Sequence, residues 1–208
     1  MAPVRPFRFA VMVSNATSAE AWRAKARRVE ELGYDVLLVT DHLGDQLAPV
    51  PALMAAFDAT TRLRGGSFVF ANDYRNPVML AKELATLDHL SGGRIEIGIG
   101  AGWMTRDYRA LGIPYDPPSK RVDRLIEAVR LLDRLFTEES VDATGTYYPI
   151  RGAALFPKAI QRPRPPLMIG GGGPRMQRFA ARRADTVAHA TQANTQGQED
   201  GAPPTTGG

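Results

Sequence analysis

The segment from Phe68 to Trp103 constrains the fold of this chain more than any other segment. It contains a short run of Phe and Val, then a helical pattern, and then the alternating run Ile95 to Ile99. In that last run isoleucines alternate with Glu96 and Gly98, and a period of two predicts a strand. Two strands that bracket one helix predict a βαβ unit with parallel strands and a right-handed crossover.

The helix of this unit has recognisable ends. Asn76 and Pro77 predict its start, because asparagine caps free backbone N–H groups and proline fits the first helical turn. Gly92 and Gly93 predict its end, because glycine tolerates the left-handed conformation found there. The buried face is expected to consist of Leu80, Leu84, Leu87 and Ser91.

Strand and helix patterns alternate along the rest of the chain. Strands are predicted at Phe7–Val13, Val36–Thr40, Arg64–Phe70, Ile95–Ile99, Leu167–Ile169 and Asp185–His189. Helices are predicted from Ser18 to Leu32, with Trp22, Ala26, Val29 and Leu32 as the apolar stripe, at about Val50–Thr60, at 76–91, at Arg121–Thr137 and from Pro174 to Arg183, with a short helix after Trp103. Six strands alternating with helices predict an α/β fold of the (β/α)8 TIM-barrel type, incomplete because about six βα units are present.

Two segments depart from this alternation. Residues 138–165 suggest a hairpin followed by a proline-rich crossing, longer than a median connection and therefore a candidate lid. Residues 191–208 contain mainly Gln, Thr, Gly and Pro, which predicts a disordered tail. We therefore expect one partial barrel domain over residues 1–190. Strands seven and eight lack a counterpart, so the edges of the first and sixth strands should be open to aggregation or pairing, and a homodimer is one arrangement they allow.

Composition excludes several classes of function. The net charge of +4 is modest and the arginines are scattered, which argues against nucleic-acid binding. No apolar run is long enough to span a membrane, and the first residues lack the apolar core of a signal peptide. The chain has no cysteine, and its three histidines show no metal-ligand spacing, so no metal is expected. These features are typical of a cytoplasmic protein.

Two charged residues are expected inside the barrel. In the first strand Phe7, Phe9, Val11 and Val13 should face covering helices, and Arg8 should face inward. Glu96 takes the equivalent inward position in the Ile95–Ile99 strand. Because a buried charge without a partner is costly, we expect Glu96 to pair with Arg8 or with another interior arginine.

Polar and small residues follow several of the predicted strands. In a parallel α/β sheet the carboxyl ends of the strands are where ligands bind. The residues at these ends are Asp41 and His42; Phe70, Ala71 and Asn72; Gly100, Ala101 and Gly102; and Gly170, Gly171, Gly172 and Gly173. Gly98 and Gly100 are expected to leave space in the interior.

The tetraglycine run has two readings. It follows a strand and precedes Pro174, which opens a helix, and the N–H groups at a helix start can bind phosphate. It could equally be a flexible joint. Among the histidines, His42 lies at a strand end and could shuttle a proton, His89 is expected to be structural, and His189 stays open.

Four stretches carry a resemblance to a known family. TDHLG at 40–44, FANDYRNPVMLAKELATLDHLSGGRIEIGIGAGW at 70–103, DYRALGIPYDPPSKRVDRL at 107–125 and FPKAIQRPRPPLMIGGGG at 156–173 resemble the bacterial luciferase-like monooxygenases. More narrowly, they resemble the branch that uses the deazaflavin coenzyme F420. The resemblance covers residues 7 to 190 and implies a TIM barrel that binds F420, or alternatively FMN, in its mouth for hydride or oxygen transfer with a small-molecule substrate.

The resemblance also implies roles for individual residues. Asp41 would lie near the cofactor and His42 near the reacting carbon. Phe70, Ala71 and Asn72 would form a bulge, with a non-proline cis peptide, against the ring. The other implied cofactor contacts are Gly100, Ala101, Gly102, Arg106 and the run Gly170 to Gly173.

Trp103 marks a departure within that branch. In its sugar-phosphate dehydrogenases an acidic residue takes this position. Because tryptophan cannot act as an acid, the resemblance argues against sugar-phosphate oxidation by that mechanism. Trp103 is expected to form a wall of the substrate pocket or to be a buried anchor.

Two alternatives to this function stay open. One is a phosphate-binding barrel enzyme of another chemistry, such as an aldolase or isomerase, although no lysine at a strand end could form a Schiff base. The other is a catalytically inactive truncated fragment.

Overall fold

The computed structural model describes residues 7–188 as a curled parallel sheet with helices packed against it. The strands are β1 Ala10–Met12, β2 Val36–Val39, β3 Arg64–Ser67, β4 Phe70–Ala71, β5 Ile95–Gly100, β6 Val141–Thr144, β7 Pro149–Ala153, β8 Leu167–Gly170 and β9 Thr186–Ala188. The helices are α1 Ala19–Glu31, α2 Pro49–Asp58, α3 Pro77–Leu90, α4 Thr105–Leu111, α5 Pro118–Thr137 and α6 Pro174–Arg183, and a 3-10 turn spans Asn72–Tyr74. His189 and the tail 191–208 lie outside the described residues.

The strand order confirms the predicted partial barrel. The order is β1-β2-β3-β5-β8-β9, with β4 as a further partner of β5, and every pair in this sheet is parallel. β6 and β7 form the predicted antiparallel hairpin between α5 and β8. Within residues 7–188, β1 pairs only with β2 and β9 only with β8, so the outer edge of each is unpaired. No helix in this range is long and apolar enough to cross a membrane.

The βαβ unit around α3 forms as predicted. The Asn76 side chain accepts a hydrogen bond of 2.9 Å from the N–H of Val78, which caps the helix. The predicted face of α3 is buried, and it packs beside three fully buried isoleucines of β5. These residues are Leu80, Leu84, Leu87 and Ser91 on the helix and Ile95, Ile97 and Ile99 on the strand.

The third predicted strand is interrupted. Instead of one strand from Arg64 to Phe70, β3 ends at Ser67, a cis peptide joins Phe68 to Val69, and β4 begins at Phe70. The glycines of β5 accommodate this break. A Cβ on Gly98 would lie 1.9 Å from the carbonyl oxygen of Ser67, and one on Gly100 would lie 2.8 Å from Cγ2 of Val69. The expectation that Gly98 leaves interior space is therefore wrong, because the main chain of β3 fills it.

The amino-terminal part also differs from expectation. Phe7 and Phe9 are 92% and 65% exposed, so they do not pack under covering helices, because β1 is an edge strand in the described part of the chain. Leu32 is 57% exposed, because α1 ends at Glu31 and Leu32 is its C-cap. Trp22, Ala26 and Val29 are buried as predicted.

The expected interior ion pair is present. Glu96 pairs with Arg8, and the same carboxylate oxygen lies 2.5 Å from Nε of Arg64. The Glu96 side chain is 17% exposed, whereas that of Arg8 is 45% exposed. The cluster is therefore half-buried, with Arg64 as its inner cation.

Candidate active site

Most of the predicted site residues lie together at the carboxyl ends of the strands. In the strand register Ala71 lies opposite Gly100, and Gly100 lies opposite Gly170. A carboxylate oxygen of Asp41 accepts a hydrogen bond of 2.9 Å from the N–H of Ala71, which brings the end of β2 to the same place. The carboxyl ends of β2, β4, β5 and β8 therefore form one continuous surface, where parallel α/β proteins bind ligands.

Asp41 has protein partners on both carboxylate oxygens. It is buried, and the Arg75 guanidinium binds it through two hydrogen bonds of 2.8 Å. Arg75 in turn lies over the ring of Phe70, 5.1 Å from its centre. Asp41 thus fixes the end of β4, at Ala71, and the turn after it. Its predicted contact with a cofactor stays a prediction.

His42 is the centre of a small network. Its Nδ1 lies 2.7 Å from Oδ2 of Asp107, a residue of α4 that is fully buried. The hydroxyl of Tyr74 donates to the same oxygen at 3.2 Å. The ring of Trp103 meets His42 edge-on, with 5.5 Å between ring centres.

Within this network the Tyr74 hydroxyl has a shifted pKa. Burial, and then the Asp107 carboxylate, raise the pKa of the Tyr74 hydroxyl well above its ordinary value. Tyr74 is therefore a neutral hydrogen-bond donor over the physiological range. Trp103 is 48% exposed, which rules out the buried-anchor interpretation. Its predicted role as a wall of the substrate pocket stays a prediction.

Sequence reasoning did not find Asp107 and Tyr74. Asp107 lies in the first turn of α4, where an acidic residue is common for reasons of helix capping and dipole alone. Tyr74 lies in the turn after β4. The only available signal was spacing: Tyr74 lies two residues after Asn72, and Asp107 lies four residues after Trp103. Spacing alone does not show where either side chain points.

Asn72 joins the site to the β6–β7 hairpin. Its side-chain amide donates to the hydroxyl of Tyr148 at 2.9 Å, and burial raises the pKa of Tyr148 to about 12. Glu127 of α5 accepts hydrogen bonds from the N–H groups of three successive residues, Thr146, Tyr147 and Tyr148. The turn of the hairpin is therefore fastened to α5 at one end of the site. Its predicted role as a lid stays a prediction.

Gly102 is required by its contacts. Its φ of +75° favours glycine, and a Cβ there would lie 2.2 Å from the hydroxyl of Tyr108. That hydroxyl donates to Asp73 at 2.9 Å, and Arg121 donates to the carbonyl of Gly102. The peptide after β5 is thus held in one orientation at the rim of the site.

The tetraglycine run leads into α6 without a side-chain cap. The N–H of Gly171 donates to Ala188 of β9 at 3.2 Å, so the run begins as part of the sheet. Gly173 is the N-cap of α6 and is exposed, with open space where a Cβ would be. Helix α6 therefore starts without a side-chain cap, and the first N–H groups of a helix have no partner within the helix.

Two other predicted residues lie at different places. Arg106 is exposed, and its guanidinium lies close to Gly44 of the loop after β2, at the rim of the site. His89 lies exposed on α3, in a groove with Leu90 and Phe156 and away from the strand ends. Within residues 7–188 no group of three or more His, Asp or Glu side chains could hold a metal ion.

The chain has the fold of a partial TIM barrel. Its candidate site lies at the carboxyl ends of the strands, where TIM-barrel enzymes have their active sites. The particular family follows from its sequence: the chain belongs to the luciferase-like monooxygenases, whose family profile matches residues 3–201. The predicted family is thereby confirmed.

Its relatives use two kinds of cofactor. The chain is 35% identical over 168 residues to an F420-dependent glucose-6-phosphate dehydrogenase of Intrasporangium calvum. The aligned region covers 76% of this chain and 50% of the relative. It is 34% identical over 110 residues to an FMNH2-dependent dimethylsulfone monooxygenase of Pseudomonas putida, covering 53% of this chain and 30% of the relative. The chain thus spans half or less of the length of these relatives.

Solved structures share the fold. A monooxygenase of Streptomyces bottropensis superimposes with a TM-score of 0.75 at 26% identity, over 85% of this chain and 57% of the other. The F420-dependent tetrahydromethanopterin reductase of Methanopyrus kandleri gives a TM-score of 0.78 at 21% identity, over 86% of this chain and 55% of the other.

Proposed function

We propose that this chain carries the cofactor-binding and proton-transfer side of an oxidoreductase that moves hydride or oxygen at a deazaflavin (F420) or FMN ring. The observation that carries the proposal is His42, held by Asp107 beside the exposed Trp103, at the edge where Ala71, Gly100 and Gly170 meet. A substrate above this edge would be a small molecule from which His42 accepts a proton or to which it donates one.

The residues present are suited to such a cofactor. The start of α6, which has no side-chain cap, suits a phosphate group, and Arg106 at the rim adds a positive charge. Ala101, directly after β5, carries only a methyl group and is partly exposed, so a flat ring could approach the main chain there. The bound cofactor would supply the hydride or oxygen chemistry, and the protein would supply position and proton transfer.

Sequence similarity favours F420 ahead of FMN. The relative that covers more of this chain, at 76% against 53%, carries F420 in its name. The substrate of that relative does not follow, because Trp103 stands where the resemblance places an acidic residue. We therefore propose F420-dependent hydride transfer with a substrate other than a sugar phosphate, and FMN-dependent oxygen transfer as the second candidate.

The direct test is to titrate the purified chain with F420 and with FMN in parallel and to follow cofactor fluorescence. Saturable binding of F420 supports the first proposal, and saturable binding of FMN alone transfers it to the second. Binding of neither would overturn the proposal in favour of the inactive fragment.

A charge at the tetraglycine run tests where the phosphate lies. Gly173→Asp should weaken cofactor binding at least tenfold, on the order of the 1.4 kcal/mol that one repelled charge can contribute. The fold should persist, because aspartate is a favourable N-cap residue. The matched control is Ser140→Asp, which adds the same charge on the exposed loop before β6 and should leave binding unchanged. Equal binding by both variants would remove the phosphate from α6.

A further inference from the structure

We infer that Asp107 is a positioning residue that holds His42 in the tautomer with its proton on Nδ1, so that Nε2 is the nitrogen available for proton transfer. Asp107 is fully buried on α4, and one of its oxygens lies 2.7 Å from Nδ1 of His42. An ionised carboxylate can only accept hydrogen bonds, so the proton of this bond belongs to the imidazole.

The other contacts of Asp107 support this direction. Tyr74 is also a donor to Oδ2, because burial and the Asp107 charge raise the pKa of its hydroxyl. Two donors therefore converge on one carboxylate oxygen. Oδ1 of Asp107 is buried without a hydrogen-bond partner among residues 7–188, so the described contacts of this carboxylate are all on the oxygen that faces His42.

Trp103 contacts the same ring. It meets the imidazole of His42 edge-on, at 5.5 Å between ring centres, which is a favourable geometry for two aromatic rings. With Nδ1 engaged by Asp107, a single nitrogen remains for a substrate. A carboxylate that binds one ring nitrogen of a histidine fixes the tautomer and the orientation of the ring, and the carboxylate does not itself take the proton.

The inference rests on the proposed function only for its catalytic meaning, since the tautomer is a property of the chain alone. The test is long-range 1H–15N NMR on the 15N-histidine-labelled full chain, recorded well above the imidazole pKa and without cofactor. The signal of His42 is assigned by its loss in His42→Gln. We expect a protonated Nδ1 and an unprotonated Nε2, opposite to the preference of free histidine.

Variants separate orientation from packing. Asp107→Ala should return His42 to the Nε2–H tautomer, and Asp107→Leu, which refills the buried space, should do the same if the alanine variant fails to fold. Tyr74→Phe is the matched control, because it removes the other donor to Oδ2 and leaves the His42 contact; its tautomer should remain Nδ1–H. An Nε2–H tautomer in the unmodified chain, or no change on removing the carboxylate, would overturn the inference. Either result is independent of cofactor binding, so it is distinguishable from failure of the proposed function.

Discussion

Asp41 shows how one side chain can be committed to structure within a candidate active site. We expect Asp41→Ala to lower the free energy of unfolding by about 2–3 kcal/mol, because Arg75 loses its bidentate partner while its side chain is only 26% exposed. Urea denaturation measures this loss. The control is Asp45→Ala, an exposed carboxylate on the same loop, which should change stability by less than about 0.5 kcal/mol. Similar losses in both variants would contradict the structural role.

At the residue scale, the sequence predicted which residues lie at strand ends, but it did not predict the side chains that these residues contact. Asp41 and His42 could be placed because they directly follow a continuous apolar strand. The contacts that decide what these residues do, from Arg75 and Asp107, come from 34 and 65 residues further along the chain. No local pattern encodes such contacts, because they depend on how the turn after β4 and helix α4 fold over the strand ends.

At the scale of elements, the break between β3 and β4 depends on glycines in a different strand. We expect Gly98→Ala to destabilise the protein by about 1–3 kcal/mol or more, because the new Cβ would lie 1.9 Å from the carbonyl oxygen of Ser67. The main chain must move to relieve this contact. Gly173→Ala is the matched control, since the same methyl group there has nothing within 4 Å. Chemical denaturation of the two variants should separate them clearly, and equal midpoints would show that the strand break is not held by Gly98.

The hairpin is a second element held by a single side chain. Glu127 accepts three main-chain hydrogen bonds of 2.8–3.1 Å from the turn. We expect Glu127→Ala to speed hydrogen exchange at residues 146–148 by at least tenfold, while protection of β5 stays unchanged. Mass spectrometry of peptic peptides measures this difference. Glu139→Ala, an exposed carboxylate before β6, should have no effect, and unchanged exchange at the turn in both variants would mean that other contacts fasten the hairpin.

Elements with local signals were predicted, and those that depend on distant partners were not. Helix α3 could be predicted from its cap, its leucine face and its terminal glycines, all within the segment itself. The hairpin was predicted from its glycine and tyrosines. The strand break was expected only through the family resemblance, which placed it at Phe70 to Asn72, slightly further along the chain than the observed break at Phe68. The local sequence does not predict it, because Gly98 and Gly100, some 30 residues away, make the space for it.

At the scale of the whole molecule, ion pairs connect elements that are far apart in sequence. Arg164, before β8, contacts Asp133 of α5 at 2.8 Å and Asp185, before β9, at 2.7 Å. Glu96 of β5 joins Arg64 of β3 to Arg8, which precedes β1. The order of the elements was predictable from their alternation, and the pairing of Glu96 from its inward position on a strand. The contacts of Arg164 were not predicted, because they depend on how three distant segments fold together.

Glu30 of α1 connects this helix to the segment before β3 and makes the stability of the molecule depend on pH. Oε1 of Glu30 accepts hydrogen bonds from the N–H groups of Thr61, Arg62 and Leu63 at 2.7–3.0 Å. Burial alone would raise the pKa of Glu30, but these N–H groups outweigh it and hold the pKa below its ordinary value of 4.5. The folded state therefore binds this proton less tightly than the unfolded state.

The sign of the dependence follows from that difference. The contribution of Glu30 is fully present above the unfolded pKa of about 4.5 and is lost as pH falls through the lower folded pKa. We expect Glu30→Gln, which keeps the accepting oxygen without the charge, to be less stable than the unmodified chain at neutral pH, and the gap to close as pH falls to about 3. Urea midpoints across this range measure the gap. Glu31→Gln, the exposed neighbour on the same helix, should show a small gap at every pH, and a constant gap for Glu30→Gln would exclude its charge as the origin of the acid sensitivity.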